Sequence, residues 1–204
     1  MSGQRRADEI LEIASRLFYE RGYAQVSTRA LAQAAGIQGA SLYHHFSSKE
    51  EMLYRITQYG SREFFAELTP ILSAGGSFTD RLDRFVREFL HRSWERRYPI
   101  AVLFREGENL APEHAEELRL TRRRFQQAVQ RFMARGCAAG AFSVPDPKVA
   151  GIAILDMLNG VDGWMRDSGR LGIDEVAATY TTLIRQLAGA VPAARRSTRK
   201  ATGT

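Results

Sequence analysis

Apolar residues recur at helical spacing along the chain, and in its first third they mark four consecutive segments. Their positions predict a first helix over about residues 6–21, a second of about two turns before Gly36, and a third that opens at Gly39. Ser48 precedes a longer fourth helix with two glutamates in its first turn, which we expect to continue to about Leu72. The predicted N-terminal arrangement is therefore three helices followed by a long one.

The rest of the chain has the same helical character. Turn-forming stretches such as SAGGS and the PDP sequence separate its segments, and none shows the sustained period-two alternation of a strand. We predict an all-α protein of about nine helices, without a repeat of fixed period. The later helices are expected over about residues 79–96, 100–109, 113–135, 149–164 and 174–190.

The composition is that of a soluble globular protein, since 44% of the 204 residues are hydrophobic and 25% are charged. The single cysteine, Cys137, excludes an intramolecular disulfide. No apolar run approaches the roughly 18–20 residues of a membrane helix, and the N-terminal sequence lacks the pattern of a signal peptide. These features predict a cytoplasmic protein with no membrane partner.

Most of the net charge of +6 lies in the last residues of the chain. Residues 192–204 contain four Lys or Arg residues and no Asp or Glu, whereas the preceding segments are nearly balanced. This tail has no apolar periodicity, which predicts a basic, disordered segment. Two roles stay open for it, a solvated end or a nonspecific attraction to DNA phosphates.

Residues 26–46, VSTRALAQAAGIQGASLYHHF, have the organisation of a helix-turn-helix. Gly36 allows the positive φ angle that the turn requires, and Ala32 is small enough for two helices to cross closely. Leu31 and Leu42 are expected to fill the core beneath them. The exposed face of the second helix then begins with small residues, which would let its backbone approach a groove.

The stretch ALAQAAGIQGASLYHHFSSKEEML closely resembles the DNA-binding signature of the TetR family of transcriptional regulators, and the resemblance extends over about residues 8–56. It implies a DNA-binding domain over residues 1–50 whose third helix enters the major groove of double-stranded operator DNA. It further implies an effector-binding and dimerisation domain over residues 51–191, followed by the tail at 192–204. The expected function is a homodimeric repressor that a small hydrophobic effector releases from DNA.

The resemblance also assigns individual DNA contacts. Arg29 is the side chain able to make a bidentate contact with guanine. Arg5 and Arg6 precede the first helix and either reach a phosphate or remain solvated. Base-edge contacts are expected from Gln38, Gly39, Ala40, Ser41 and His44, and phosphate contacts from Thr28, Tyr43, His45 and Lys49.

Metal binding and catalysis are weaker interpretations of the paired histidines. Adjacent residues such as His44 and His45 do not share one side of a helix, so a metal pair would need remote ligands. No GxSxG, HExxH or phosphate-binding loop occurs in the chain, so we expect no enzyme activity, no metal and no cofactor. An enzyme that uses the second-domain pocket, or a helical adaptor without DNA binding, remains as an alternative.

The last two predicted helices carry apolar faces that either pack inside the subunit or join two subunits, and the TetR resemblance favours the dimer. Aromatic and aliphatic residues of the second domain either fill its core or line an effector pocket. The residues expected at that pocket are Phe89, Leu103, Phe104 and Phe125.

The C-terminal half also resembles, more faintly, acyl-CoA-responsive regulators of fatty-acid and steroid breakdown. That resemblance implies that Trp164 and Arg166 face an acyl-CoA effector, although Gly163 stands where a second arginine is expected. Arg119, Arg122, Arg123 and Arg124 either meet CoA phosphates or form a solvated helix face. An unrelated hydrophobic or drug-like effector is the alternative.

Overall fold

A computed structural model describes residues 2–190, except for the side chains of Ser2 and Tyr59. Within these residues the chain is entirely helical, and nine of its ten α-helices have seven residues or more, which confirms the predicted all-α fold of about nine helices. The predicted basic tail lies outside the described residues. The α-helices are α1 (Ser2–Arg21), α2 (Thr28–Ala34), α3 (Gly39–His45), α4 (Lys49–Ser73), α5 (Phe78–Glu95), α6 (Arg97–Arg105), α7 (Pro112–Ala138), α8 (Pro147–Asn159), α9 (Val161–Trp164) and α10 (Ile173–Leu187), with a 3-10 turn at Gly107–Asn109 between α6 and α7.

Side-chain caps begin several of these helices. The hydroxyl of Ser27 accepts the amide N–H of Ala30 at the start of α2, and that of Ser48 accepts the N–H of Glu51 at the start of α4. The predicted cap at Ser48 is therefore confirmed.

The predicted helix over residues 149–164 is divided in the structure. α8 ends at Asn159, Gly160 caps it, and the single turn α9 follows. Gly160 and Gly163 explain the break, because glycine costs about 0.5–1 kcal/mol relative to alanine in a helix interior. The expectation of one continuous helix was wrong here.

α4 is the central element of the fold. It packs against α1 in the N-terminal part and against α5, α6 and α7 in the larger part, while α10 packs on α5 and α8 on α7. The predicted division after residue 50 falls in the first turn of α4, so one helix belongs to both parts. Within residues 2–190, no helix combines the length and the apolar character needed to cross a bilayer.

Candidate nucleic-acid interface and effector cavity

α2 and α3 form a compact helix-turn-helix. Gly36 has φ +65° in the turn, as predicted, and the N–H of Ile37 donates to the carbonyl of Ala32 at 2.9 Å. Leu31 and Leu42 are almost completely buried beneath the two helices. The turn therefore has one tightly determined geometry, which sets the direction of α3.

The outer face of α3 is exposed in the part of the chain that the structure describes. Tyr43 is 57% exposed, and a Cβ added at Gly39 would meet no atom within 4 Å. No packing inside the chain therefore requires a glycine at position 39. Gln38, Gly39, Ala40 and His44 are exposed on this face, whereas Ser41, His45 and Thr28 are half-buried beside it.

Arg29 and Lys49 differ in their surroundings. Arg29 is exposed, and among the described residues it has no hydrogen bond or ion pair. Lys49 instead points inward: its Nζ donates to the carbonyls of Tyr23 and Val26 at 2.9 and 3.0 Å and lies 3.9 Å from the centroid of the Tyr23 ring. Two of the three ammonium donors of Lys49 therefore hold the loop between α1 and α2, and the phosphate contact expected of this residue stays a prediction.

Arg6 also supports the helix-turn-helix, although the sequence suggested either a phosphate contact or a solvated position for it. Nη2 of Arg6 donates to the carbonyl of Ala35 at 2.7 Å, while Nη1 pairs with Glu9. Ala35 is the C-cap of α2, where carbonyl groups lack helical partners and favour a positive charge. Arg6 therefore fastens α1 to the end of α2, whereas Arg5 stays largely exposed.

The larger part of the molecule contains two adjoining cavities. The inner cavity, of about 190 Å³, lies between α5, α6, α8 and α9, and the side cavity, of about 110 Å³, lies towards α7. Phe89, Phe104 and Asn159 line both. An outer groove of about 560 Å³ runs along α7 and shares Arg122 and Gln126 with the side cavity. The shared residues place the side cavity between the inner cavity and the outer groove.

The residues predicted for the effector site separate into two groups. Phe89, Phe104 and Phe125 line the cavities, but Leu103 is fully buried in the core and lines neither of them. Trp164 and Arg166 also lie outside both cavities. The Trp164 ring is 50% exposed and stacks on Tyr180, and Arg166 donates to the carbonyls of Met165 and Gly163 in its own loop.

Several polar contacts join the N-terminal helices to the larger part. Oε1 of Glu50 accepts the N–H of Ala111 at 2.9 Å and lies 2.9 Å from Nδ1 of His114. The Tyr54 hydroxyl donates to Glu117 at 2.6 Å and, as the largest cause, lowers the pKa of Glu117 to about 2. These contacts join the first turns of α4 to the start of α7.

Comparison with known protein families explains this combination of elements. Residues 10–56 match the family of bacterial regulatory proteins called tetR, and residues 75–188 match the tetracyclin repressor-like C-terminal domain. The chain belongs to the TetR family. It is a helix-turn-helix transcriptional regulator, and the predicted resemblance is confirmed. The proteins of this family act as transcriptional regulators rather than as enzymes.

Individual relatives share nearly the whole length of this TetR regulator. The HTH-type transcriptional repressor KstR2 of Rhodococcus jostii strain RHA1 is 29% identical over 181 residues, covering 88% of this chain and 89% of the repressor. The regulator PfmR from Thermus thermophilus is 34% identical, with a TM-score of 0.78 over 90% of this chain and 99% of PfmR. AibR, crystallised with isovaleryl coenzyme A and operator DNA, shares the fold, with a TM-score of 0.81 at 24% identity over 91% and 100% of the two chains.

The TetR regulator has an apolar surface on α8, α9 and α10. Val149 is 60% exposed and Leu183 is 44% exposed, and Ile152, which also lines the side cavity, and Trp164 are exposed too. Gly151, in contrast, faces inward, because an added Cβ would lie 3.2 Å from the Cα of Gln130 on α7. The small size of Gly151 permits α8 to pack closely on α7 inside the subunit. The larger apolar side chains of α8, such as Val149, are the exposed ones.

Proposed function

We propose that this TetR regulator is a homodimeric cytoplasmic repressor that binds double-stranded operator DNA through α3 and leaves it when a small hydrophobic effector binds. The observation that carries the proposal is the exposed outer face of α3, which follows the turn at Gly36. Small residues at the start of that face permit the backbone to approach a major groove closely. Residues 1–50 would form the DNA-binding domain and residues 51–191 the effector-binding and dimerisation domain.

The proposed contacts follow the exposure of the side chains. Arg29, which is free of internal partners, would reach a guanine or a phosphate beside the groove. Tyr43, His45 and Thr28 would bind phosphates, with help from the free N–H groups at the start of α2. The proposed base-edge contacts are Gln38, Gly39, Ala40, Ser41 and His44.

Titration of the DNA that flanks the regulator's own gene tests this interface. Tyr43→Ala and His44→Ala should each weaken binding, because both side chains are exposed and support no internal packing. Arg124→Ala is a matched control, since Arg124 is an exposed residue on α7, away from α3. The DNA-binding role would be refuted if the wild-type protein bound DNA of any sequence equally well, or if salt did not change its affinity for DNA.

A two-fold dimer through α8 and α10 would cover the exposed apolar side chains of these helices. Two recognition helices would then meet half-sites about 34–36 Å apart, one turn of DNA. Leu183→Glu should convert the dimer to a monomer in sedimentation velocity experiments, because it places a charge in the proposed apolar interface. Leu120→Glu, at an exposed leucine on α7, should leave the dimer intact; an unchanged dimer in Leu183→Glu contradicts this interface.

An acyl-CoA thioester is the effector that we propose to test first. AibR has been crystallised with isovaleryl coenzyme A, and the outer groove of this chain contains Arg119, Arg122 and Arg123. An acyl group would enter the cavities while the phosphates stay at the groove. Octanoyl-CoA should release the bound DNA in a fluorescence anisotropy titration, and CoA alone should not. Release by neither, with a copurified ligand that lacks CoA in mass spectrometry, would favour an unrelated hydrophobic effector.

A further inference from the structure

The amide oxygen of Asn159 is unusual among the described residues. Oδ1 is buried and accepts no hydrogen bond, although such an unpaired oxygen costs about 1–3 kcal/mol. Asn159 lines both the inner cavity and the side cavity. Oε1 of Gln58 is also buried without a partner, but Gln58 lines neither cavity. Asn159 is therefore a residue of the cavity wall whose amide oxygen lacks a donor within residues 2–190.

Arg122, an exposed residue of α7 that also lines the side cavity, is a second polar group without a hydrogen bond or ion pair within residues 2–190. Its guanidinium carbon lies 4.9 Å from the centroid of the Phe104 ring, between the side cavity and the outer groove. Burial of the guanidinium against this wall lowers the pKa of Arg122, but an arginine stays charged at neutral pH. Asp156 lines the same cavity, yet no ion pair joins it to Arg122 within residues 2–190.

Two of the other arginines around these cavities are balanced by carboxylates. Arg105 pairs with Asp162 at the wall of the inner cavity, and Arg119 pairs with Glu116 beside the outer groove. The positive charge of Arg122 is therefore available to a bound anion in a way that these two charges are not. A guanidinium with one side on an aromatic ring still has its N–H donors free in the plane of the group.

We propose that Asn159 and Arg122 together select an amphipathic anion as the effector, with its apolar chain in the inner cavity, a hydrogen-bond donor at Oδ1 of Asn159 and its anionic group at Arg122. This inference rests on the proposed function and specifies the effector. Phe89 and Phe104 supply the apolar walls around the chain. At about 30 Å³ per water-sized group, the two cavities hold roughly ten such groups.

Donor and anion must lie close together in the effector, because Asn159 and Arg122 face the same side cavity of about 110 Å³. Two kinds of molecule meet this requirement. In a free hydroxy acid, the carboxylate reaches Arg122 directly. In a CoA thioester, an amide N–H of the pantetheine arm is the donor, and the phosphates reach Arg122 from the outer groove, where Arg123 is also present.

Calorimetric titration with 3-hydroxyoctanoate, octanoate and octanoyl-CoA tests the proposed roles of Asn159 and Arg122. The hydroxyl should improve binding to the wild-type protein by about threefold to tenfold, the usual net value of one hydrogen bond. Asn159→Leu has a similar shape and should abolish that preference. Arg122→Met should weaken every probe that binds by roughly tenfold or more, since the lost hydrogen bond is charge-assisted.

Arg123→Met is the matched control that distinguishes the two kinds of effector. Arg123 lines the outer groove but neither cavity, so its loss should leave the free acids unaffected and weaken octanoyl-CoA. If octanoyl-CoA is the only probe that binds, and all three substitutions weaken its binding, the anion is a phosphate. That result would still support the proposed roles of Asn159 and Arg122.

Three results would overturn the inference: a hydroxyl preference that persists in Asn159→Leu, unchanged affinities in Arg122→Met, or no binding of any probe. Each of the three variants should bind the gene-flanking DNA like the wild-type protein when no probe is present, because the substituted residues lie on α7 and α8, away from α3. Failure of the wild-type protein itself to bind that DNA would count against the proposed function instead. The two failures are therefore distinguishable.

Discussion

Replacing Lys49 with methionine separates the internal role of this residue from a DNA contact. The ammonium group donates to the carbonyls of Tyr23 and Val26 and lies over the ring of Tyr23. Methionine preserves the apolar stem but leaves both carbonyl oxygens without this donor. Because these carbonyls lie in the loop that precedes α2, the change should loosen the helix-turn-helix.

Opposing effects determine how much free energy of unfolding Lys49→Met loses. A hydrogen bond to a charged group contributes about 1.5–3 kcal/mol, and a partly exposed cation–π contact adds about 0.5–1 kcal/mol. Burial acts in the opposite direction: it lowers the pKa of Lys49, although Glu106 partly compensates. Since Lys49 is only half-buried and water replaces part of the lost contacts, we expect a net loss of about 2 kcal/mol. For a domain of this size, that lowers Tm by about 4–8 °C.

Thermal and urea unfolding of Lys49→Met measures this loss, and Arg29→Met is its control. Arg29 is exposed without an internal partner, so its replacement should leave Tm unchanged. If Arg29 binds a phosphate, its loss should reduce the salt dependence of DNA affinity by a slope of about 0.9. A Lys49→Met protein with wild-type stability and a reduced salt slope would refute the internal role and restore the phosphate contact.

Three further substitutions test separate parts of the structure. Gly36→Ala places a side chain at φ +65°, which should cost about 1–2 kcal/mol in urea unfolding; unchanged stability would contradict the turn geometry. Gly136→Ala places a Cβ in collision with Cδ2 of Phe142 and should destabilise by about 1–3 kcal/mol, with relief by an added Phe142→Leu; absence of relief would mean that the clash is elsewhere. Tyr54→Phe removes the largest cause of the low pKa of Glu117. The stability that this carboxylate contributes is full above its ordinary pKa of 4.5 and disappears as the pH falls towards 2. In Tyr54→Phe it should disappear at a higher pH, and an unshifted acid-unfolding midpoint would argue against the hydrogen bond.

The helix-turn-helix was predictable because its determinants are local. Gly36, Leu31 and Leu42 lie within one short stretch, and their spacing alone places two apolar side chains beneath a turn with positive φ. The same reasoning identified the cap at Ser48, whose partner is three residues away. Predictions of this kind depend on helical periodicity and turn chemistry, which nearest neighbours along the chain decide.

The roles of the long cationic side chains were not predictable in this way. Lys49 and Arg6 contact backbone carbonyls 23 to 29 residues away, and sequence offers no means of distinguishing that direction from one towards a phosphate. Asn159 gave no signal at all in the sequence. Its importance arises only from an oxygen that several packed helices enclose without providing a donor.

The sequence by itself determined that this protein is helical, where its third and fourth helices begin, and that a helix-turn-helix of the TetR type lies near its start. Tertiary structure decided which aromatic residues line the cavities and which fill the core, and it placed Trp164 and Arg166 outside those cavities. The physical reason is the range of the interactions. Helix formation and capping act over a few residues, whereas a cavity is the space left where α5, α6, α7 and α8 fail to fill the volume between them.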